Sequence, residues 1–201
     1  SLKFDESTGR NVLGRLQVGD KPSEQVIIIG AHVDHLGHGE GGDSLAKGDE
    51  KGKVHFGADD NASGVAGLLE IAQHLAHLKA KGKLKGKRDF VFAAWSGEEL
   101  GLLGSSHFVN TFGGATEAPK TLAPTVAAYL NMDMIGRLRQ QAIFQGIGSS
   151  GAWAKILEKR NVVVGLPIAL SKDTYLPTDA TPFYLKGVPI LAAFTCAHGE
   201  Y

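Results

Sequence analysis

The sequence predicts an α/β domain with a mixed, mostly parallel central sheet that is flanked by helices on both faces. Short, continuous runs of β-branched and other apolar residues, such as Val26 to Gly30, are typical of strands that are buried on both faces. These runs alternate with segments whose apolar residues recur at helical spacing, of which Ala62 to Lys79 is the best example. A length of 201 residues with 43% apolar content suits one globular domain with a sizeable core.

The other elements follow from the same two patterns. An edge strand is expected at Leu13 to Val18, before the first core strand, and a second helix is expected at Ser149 to Arg160. The segment Gly37 to Gly57 is Gly-rich, charged and without periodicity, which predicts a long functional or mobile loop. Later core strands are expected at Asp89 to Trp95, Thr125 to Met132 and Val188 to Phe194.

No internal repeat or shift in composition divides the chain, so we expect residues 1–201 to form a single domain. We also expect this domain to be a fragment of a longer protein. Lys and Arg total 21 and Asp and Glu total 21, so no net charge favours nucleic acid or an anionic membrane as partner. Cys196 is the only cysteine, which excludes an intrachain disulfide and a Cys-rich zinc site. No apolar run reaches the roughly 18 residues of a membrane helix, and we therefore predict no membrane span. The oligomeric state stays open.

Polar clusters occur at four places where predicted strands or loops reach one edge of the sheet. Ligands bind in open α/β sheets beyond the carboxyl ends of the strands. Carboxylates crowded at such an edge repel each other unless a cation lies among them. One histidine with several carboxylates suits Zn²⁺, Mn²⁺ or Co²⁺, and paired ions about 3.5–4 Å apart hydrolyse amides and phosphates. The four clusters are His32-Val33-Asp34, Asp59-Asp60-Asn61, Glu98-Glu99 and Asp133.

These clusters lie in segments that resemble, in the same order, the four metal-site motifs of the M28 aminopeptidases. The late segment Asp179 to Tyr184, followed by Gly187-Val188-Pro189, resembles the family's Ser-Asp-His-x-x-Phe stretch. The resemblance covers Asn11 to Tyr201 and implies a zinc-dependent exopeptidase-like fold of the phosphorylase/hydrolase-like type. The four segments are Gly30-Ala31-His32-Val33-Asp34-His35, Gly57-Ala58-Asp59-Asp60-Asn61-Ala62-Ser63-Gly64, Ser96-Gly97-Glu98-Glu99-Leu100-Gly101 and Leu130-Asn131-Met132-Asp133-Met134.

The resemblance implies the metal ligands. His32 and Asp133 would bind one ion, and Glu99 would bind the other. Asp60 would bridge both ions. Asp34 would lie behind His32 and orient its imidazole, as the partners of metal-bound histidines usually do. The implied cofactor is Zn²⁺, with two ions in the full-length catalytic domain.

The resemblance also implies the reaction. Glu98, next to a ligand but not itself one, would be the general base that takes a proton from the attacking water and returns it to the leaving amine. Tyr175 would donate to the developing oxyanion. The substrates would be peptides with a free N-terminus, and the enzyme would be secreted or periplasmic.

Two departures from the family pattern occur near the end of the chain. Thr178-Asp179-Ala180 stands where the family has Ser-Asp-His. The family's fifth ligand, a histidine after Asp-Tyr or Glu-Tyr, would follow Glu200-Tyr201, where this chain ends. We therefore expect this chain to be truncated, to hold at most one tightly bound ion, at His32, Asp60 and Asp133, and to be nearly inactive. His198 is considered as a substitute ligand, but three residues, Gly199 to Tyr201, separate it from the required place.

Two other functions stay open at this point. A glutaminyl cyclase shares the fold but uses one zinc ion, and such enzymes commonly carry Asp-Ser where this chain has Asp60-Asn61. The second alternative is a metal-poor, inactive relative that binds peptides. For the full-length protein, the intact Glu98 and the four intact ligands argue against this alternative.

Overall fold

The computed structural model describes residues 8–39 and 44–197. Within these ranges, strands and helices alternate along most of the chain. In chain order they are β1 (Val12–Leu16), β2 (Val26–His32), α1 (Ala62–Ala80), β3 (Asp89–Trp95), α2 (Leu103–Asn110), β4 (Val126–Met132), β5 (Ala142–Gln145), α3 (Trp153–Val164), β6 (Ile168–Leu170), α4 (Ala180–Leu185) and β7 (Ile190–Phe194).

The described strands form one mixed sheet in the order β1-β3-β2-β4-β7-β5-β6. Its centre is parallel, since β2 pairs in parallel with both β3 and β4, and β4 pairs in parallel with β7. Both outer parts reverse direction: β1 runs antiparallel to β3, and β5 runs antiparallel to β7. The mixed, mostly parallel sheet predicted from the sequence is thus confirmed, and β1 is the expected edge strand.

The core lies on both faces of the sheet because successive residues of a strand point to opposite sides. Ile28 belongs to a buried cluster with Val109 of α2 and Phe183 of α4. The next residue, Ile29, belongs to a separate cluster with Leu68 of α1. Helices therefore cover both faces, as the continuous apolar run of β2 predicts.

Helix α1 is fixed to the sheet at its first turn. The side chain of Asn61 caps the helix, since its Oδ1 accepts a hydrogen bond from the Gly64 N–H at 3.0 Å. The same side chain donates from Nδ2 to the Met132 carbonyl at 3.0 Å, at the end of β4. Asn61 therefore sets where the loop before α1 lies relative to the strand ends. Among the described residues, no helix combines the length and apolarity that crossing a membrane would require.

Candidate metal centre

The carboxyl ends of β2 and β4 bring His32 together with two carboxylates. His32 is the last residue of β2 and is only 2% exposed. Its Nε2 lies 3.1 Å from Oδ1 of Asp60 and 3.4 Å from Oδ1 of Asp133, the residue that follows β4. The structure therefore brings together the three residues that the sequence assigns to the first ion.

The two carboxylates of this cluster stabilise a positive charge on His32. Burial lowers the pKa of His32, but the contacts with Asp133 and Asp60 outweigh burial and raise that pKa to about 12. Without a cation, the imidazole therefore stays protonated between the two carboxylates. A divalent cation can replace that proton, because metal ligation requires a neutral imidazole and ionised carboxylates.

A second cluster lies on the other side of Asp60. Nδ1 of His35 lies 2.8 Å from Oε1 of Glu99 and 4.0 Å from Oδ2 of Asp60. The ligand atoms of these three residues all lie within 4.8 Å of one another. The sequence predicts Glu99 and Asp60 at this position but does not assign His35 to it.

The donor atoms of the first cluster fit zinc. With bonds of about 2.05 Å to nitrogen and oxygen, ligand atoms around a tetrahedral zinc ion are about 3.3 Å apart. The distances of 3.1 and 3.4 Å from His32 to Asp60 and Asp133 match this spacing. One imidazole with carboxylates is also a hard, N/O-rich donor set that suits zinc. The residues present therefore fit the ion that the family resemblance implies.

Asp34 connects the ends of β2 and β3. Its Oδ1 accepts a hydrogen bond from the Glu98 N–H at 3.1 Å, and its Oδ2 accepts one from the Glu99 N–H at 3.2 Å. Its main-chain carbonyl lies 3.0 Å from Nδ1 of His32, whereas its carboxylate lies 3.8 Å away. The orientation that the sequence assigns to the Asp34 carboxylate therefore comes from the Asp34 carbonyl in this geometry, and the carboxylate holds the two glutamates.

Glu98 lies next to the first cluster. Its carboxylate is within 4.8 Å of the ligand atoms of His32 and Asp133. Burial is the largest cause that raises the pKa of Glu98, to about 8, with the neighbouring charge of His32 opposing it and that of Asp179 adding to it. A carboxylate at this distance can reach a water molecule held between the clusters.

The loop that carries Asp60 is fixed to the segment after β4. Asp59 accepts a hydrogen bond from the Gly136 N–H on its Oδ1 at 2.8 Å. Ser63 donates from Oγ to the Asp59 carbonyl at 2.6 Å and accepts from the Ile135 N–H at 3.0 Å. These bonds, with those of Asn61, hold Asp60 in place relative to β4.

Asp179 is a buried carboxylate that the sequence places in a motif without assigning it a role. It is 1% exposed, and neither carboxylate oxygen has a hydrogen-bond partner among the described residues. Burial raises the pKa of Asp179 to about 7, and the charge of His32 opposes this effect. The hydroxyl of Ser105 donates instead to the Leu102 carbonyl at 3.3 Å.

Tyr175 lies at the surface. The residue is 72% exposed, and its ring packs edge-on against the ring of Tyr184, with the two ring centroids 5.2 Å apart. Its role as an oxyanion donor stays a prediction. His198, the substitute ligand considered from the sequence, lies outside the described residues, as does Glu200-Tyr201.

Clefts open on both sides of the second cluster. One of about 870 Å³ is lined by His35 and Glu99 together with apolar side chains, among them Leu100, Leu103 and Phe108. Another of about 600 Å³ is lined by His35 and Asp60 together with Phe56 and Arg137. His35 therefore forms part of the wall between two spaces that a substrate can enter.

Histidines and carboxylates collected at the strand ends of a mixed sheet define a metal-dependent α/β protein. The model of Peptidase family M28 matches residues 11–201, and the chain belongs to this family. The family resemblance seen in the sequence is thus confirmed.

Individual relatives agree with this assignment. Leucine aminopeptidase 2 of Trichophyton rubrum is 32% identical over 148 residues, which are 73% of this chain and 24% of that protein. BSAP, a zinc aminopeptidase from Bacillus subtilis, superposes with a TM-score of 0.66 at 22% identity, over 95% of this chain and 42% of that chain. Glutaminyl cyclase of Porphyromonas gingivalis gives a TM-score of 0.66 at 17% identity, over 93% and 63% of the two chains. These two structures share the fold, and the chain spans about a quarter of the fungal relative.

Proposed function

We propose that this chain is the catalytic domain of a zinc-dependent aminopeptidase, which removes N-terminal amino acids from peptides. The observation that carries the proposal is the position of Asp60. Its Oδ1 faces His32 at 3.1 Å and its Oδ2 faces His35 at 4.0 Å, so one carboxylate joins the two clusters. Hydrolases with two metal ions commonly hold them with such a bridging carboxylate, and membership of a peptidase family supports peptides as substrates.

Two zinc ions bound at these clusters would polarise the substrate carbonyl and supply an activated water. Residues of the protein itself transfer the protons. Glu98 accepts the proton of the attacking water and transfers it to the leaving amine, for which its place beside His32 and Asp133 is suitable. Asp34 holds Glu98 in that place through the backbone hydrogen bond at 3.1 Å.

The cleft beside Glu99 suggests which N-terminal residue is removed. Leu100, Leu103 and Phe108 give its wall an apolar surface. An apolar side chain at the substrate's N-terminus would be removed from water there, which favours binding. The name of the fungal relative, leucine aminopeptidase 2, agrees with this preference.

A glutaminyl cyclase is the second candidate from the sequence, and the fold is compatible with it. Such an enzyme uses one zinc ion, whereas this chain has two clusters that share Asp60. The second cluster therefore favours the aminopeptidase. Export of the protein, which the family resemblance implies, stays a prediction.

The test is Glu98→Gln in the full-length gene product, with Glu70→Gln on the exposed surface of α1 as the matched control. The first variant should keep its zinc content but lose turnover of a chromogenic amino-acid amide by about 10²–10⁴-fold, because a proton carrier is removed while the ligands stay. The control should match the wild type in both measurements. Full activity of Glu98→Gln at unchanged zinc content would refute the proposal, and cyclisation of an N-terminal glutamine would point to the cyclase.

A further inference from the structure

Phe56 is the most exposed large apolar side chain among the described residues, with 91% of its surface in contact with solvent. It lies in the loop between β2 and α1, four residues before Asp60. Removing a phenylalanine ring from water is favourable. The ring is therefore available to bind an apolar group close to the candidate centre.

The backbone on both sides of Phe56 is held in place, which keeps the ring at the surface. On one side, the His55 N–H donates a hydrogen bond to the Gly37 carbonyl at 2.7 Å. On the other side, Gly57 has a φ of +60° and packs so closely that a Cβ there would lie 2.9 Å from Cβ of His35. Phe56 is thus presented to solvent by two anchored neighbours, and a ligand would meet it without reordering the backbone.

The walls of two clefts meet at Phe56. The cleft of about 600 Å³ beside Asp60 contains Phe56 together with Leu45 and Val54, between charged residues. A smaller cleft of about 250 Å³ contains Phe56 together with Val33. All of these apolar side chains are exposed. Single exposed apolar residues are ordinary on protein surfaces, whereas several around one entrance are typical of a binding site.

The same clefts continue into the candidate centre. His35 lines both clefts of Phe56 and also the cleft beside Glu99, and Asp60 lies in the wall of the larger cleft of Phe56. With the N-terminal side chain of a peptide in the cleft beside Glu99, the scissile bond lies at Asp60, and the rest of the peptide continues toward Phe56. An extended peptide advances about 3.3 Å per residue, so the first residue after the bond lies at the mouth of this cleft.

We propose that Phe56 binds the side chain that directly follows the scissile bond, and that the enzyme therefore selects peptides with an apolar second residue. This inference rests on the proposed function, since it assigns the part of the cleft that holds the leaving peptide. The contact with Phe56 is the same before the reaction and in the transition state, so it acts on KM and leaves kcat unchanged.

The experiment compares the peptides Leu-Phe-Gly and Leu-Ser-Gly, which differ only in the second residue, with the full-length gene product. Phe56→Ala should lower the ratio of their kcat/KM values by about 10-fold, the lower end of what one apolar group in a pocket contributes. The change should lie in KM for Leu-Phe-Gly. Phe56→Leu keeps an apolar side chain and should restore most of the ratio. Val163→Ala, the matched control, shortens a similarly exposed side chain in α3, outside these clefts, and should keep the wild-type ratio.

The ratio separates a contact with substrate from a structural role of the loop. A distorted loop would impair both peptides equally, so a ratio that stays at the wild-type value in Phe56→Ala would overturn the proposal. A ratio that falls through kcat alone would also overturn it. The tryptophan of Phe56→Trp should be quenched by iodide in the peptide-free protein and protected by Leu-Phe-Gly. A tryptophan already protected without peptide would show that another segment of the protein or a second copy covers this position, which would refute the proposal.

Binding without turnover lets the two proposals fail separately. In a Glu98→Gln background, Phe56→Ala should weaken binding of Leu-Phe-Gly by about 10-fold, and binding of Leu-Ser-Gly much less. A wild type that hydrolyses neither peptide would refute the aminopeptidase, and these two affinities would still decide whether Phe56 contacts an apolar second residue. Hydrolysis of both peptides with a ratio that does not respond to Phe56→Ala would refute the role of Phe56 and leave the aminopeptidase standing.

Discussion

Asp34→Ala tests how the ends of β2 and β3 position the candidate centre. The carboxylate accepts the N–H groups of Glu98 and Glu99 at 3.1 and 3.2 Å, so its removal leaves two backbone donors without their partner. Hydrogen bonds to a charged group contribute about 1.5–3 kcal/mol each. The Asp34 side chain is 23% exposed, so water can replace part of the lost hydrogen bonding. We expect the free energy of unfolding to fall by roughly 3 kcal/mol, the lower limit for two such bonds.

The same variant should weaken zinc binding. Glu99 is a predicted ligand, and loss of a group that orients a ligand costs about 10–100-fold in metal affinity. Asp34→Asn keeps one acceptor oxygen but brings an N–H₂ group toward the other backbone N–H, so its stability should lie between those of Asp34→Ala and the wild type. Asp20→Ala, in an exposed bend, is the control for removing an aspartate.

Denaturant unfolding in excess chelator measures the stability, and zinc competition measures the affinity. For a domain of this size, roughly 3 kcal/mol corresponds to a fall in Tm of about 6–12 °C. The reasoning would be refuted if Asp34→Ala unfolded within about 0.5 kcal/mol of the wild type, which is the range of ordinary surface substitutions. Unchanged zinc affinity in a destabilised variant would show that Asp34 supports the fold without positioning Glu99.

Two further substitutions test the charges of the centre. Asp60→Ala should remove bound zinc more completely than loss of His32 or Glu99, because one carboxylate faces both clusters, and plasma emission showing two ions per chain would contradict this. The pKa of Asp179 is about 7 in the folded state against an ordinary value of 3.8, so the folded state holds a proton that the unfolded chain releases, and stability should fall as pH rises between these values. In excess chelator, Asp179→Asn should therefore be more stable than the wild type at pH 8, by up to about 4 kcal/mol at roughly 1.4 kcal/mol per unit of pKa, and should lose this advantage near pH 4. An advantage that persists at pH 4 would show that the carboxylate charge is not its source.

The central strands and α1 could be predicted from the sequence because their apolar pattern is strong. Two helices could not. Helix α4 (Ala180–Leu185) has six residues, too few to show a helical period. Helix α2 has eight residues, and two of the three that it buries, Gly104 and Ser105, are small; a Cβ at Gly104 would lie 2.5 Å from the Ser96 carbonyl. Close packing through small residues in so short a helix weakens the hydrophobic stripe that a sequence pattern would show. The strands β5 and β6 have four and three residues, which is too few to show the alternation of apolar and polar residues that predicts a strand.

The family resemblance implies the ligands of the candidate centre, and the sheet geometry explains the position of two of them. His32 and Asp133 end or follow neighbouring parallel strands, so their proximity follows from the order of the strands. His35 is different, because its place depends on the path of the loop after β2, which the hydrogen bonds of Asp34 fix. The available signal was a second histidine three residues after a predicted ligand. Spacing along a loop does not determine where a side chain points, so that signal could not be interpreted without the structure.

The position of Asp60 explains why the two clusters depend on one another. β2 lies between β3 and β4, so the first cluster joins β2 to β4 through His32 and Asp133, and the second joins the loop after β2 to the end of β3 through Glu99. The two clusters thus lie on opposite sides of the end of β2. Asp60 reaches both because Asn61, the next residue, is bound to the Met132 carbonyl and caps α1. The first turn of α1 therefore controls both clusters together, whereas a change at the end of β3 or β4 acts first on one of them.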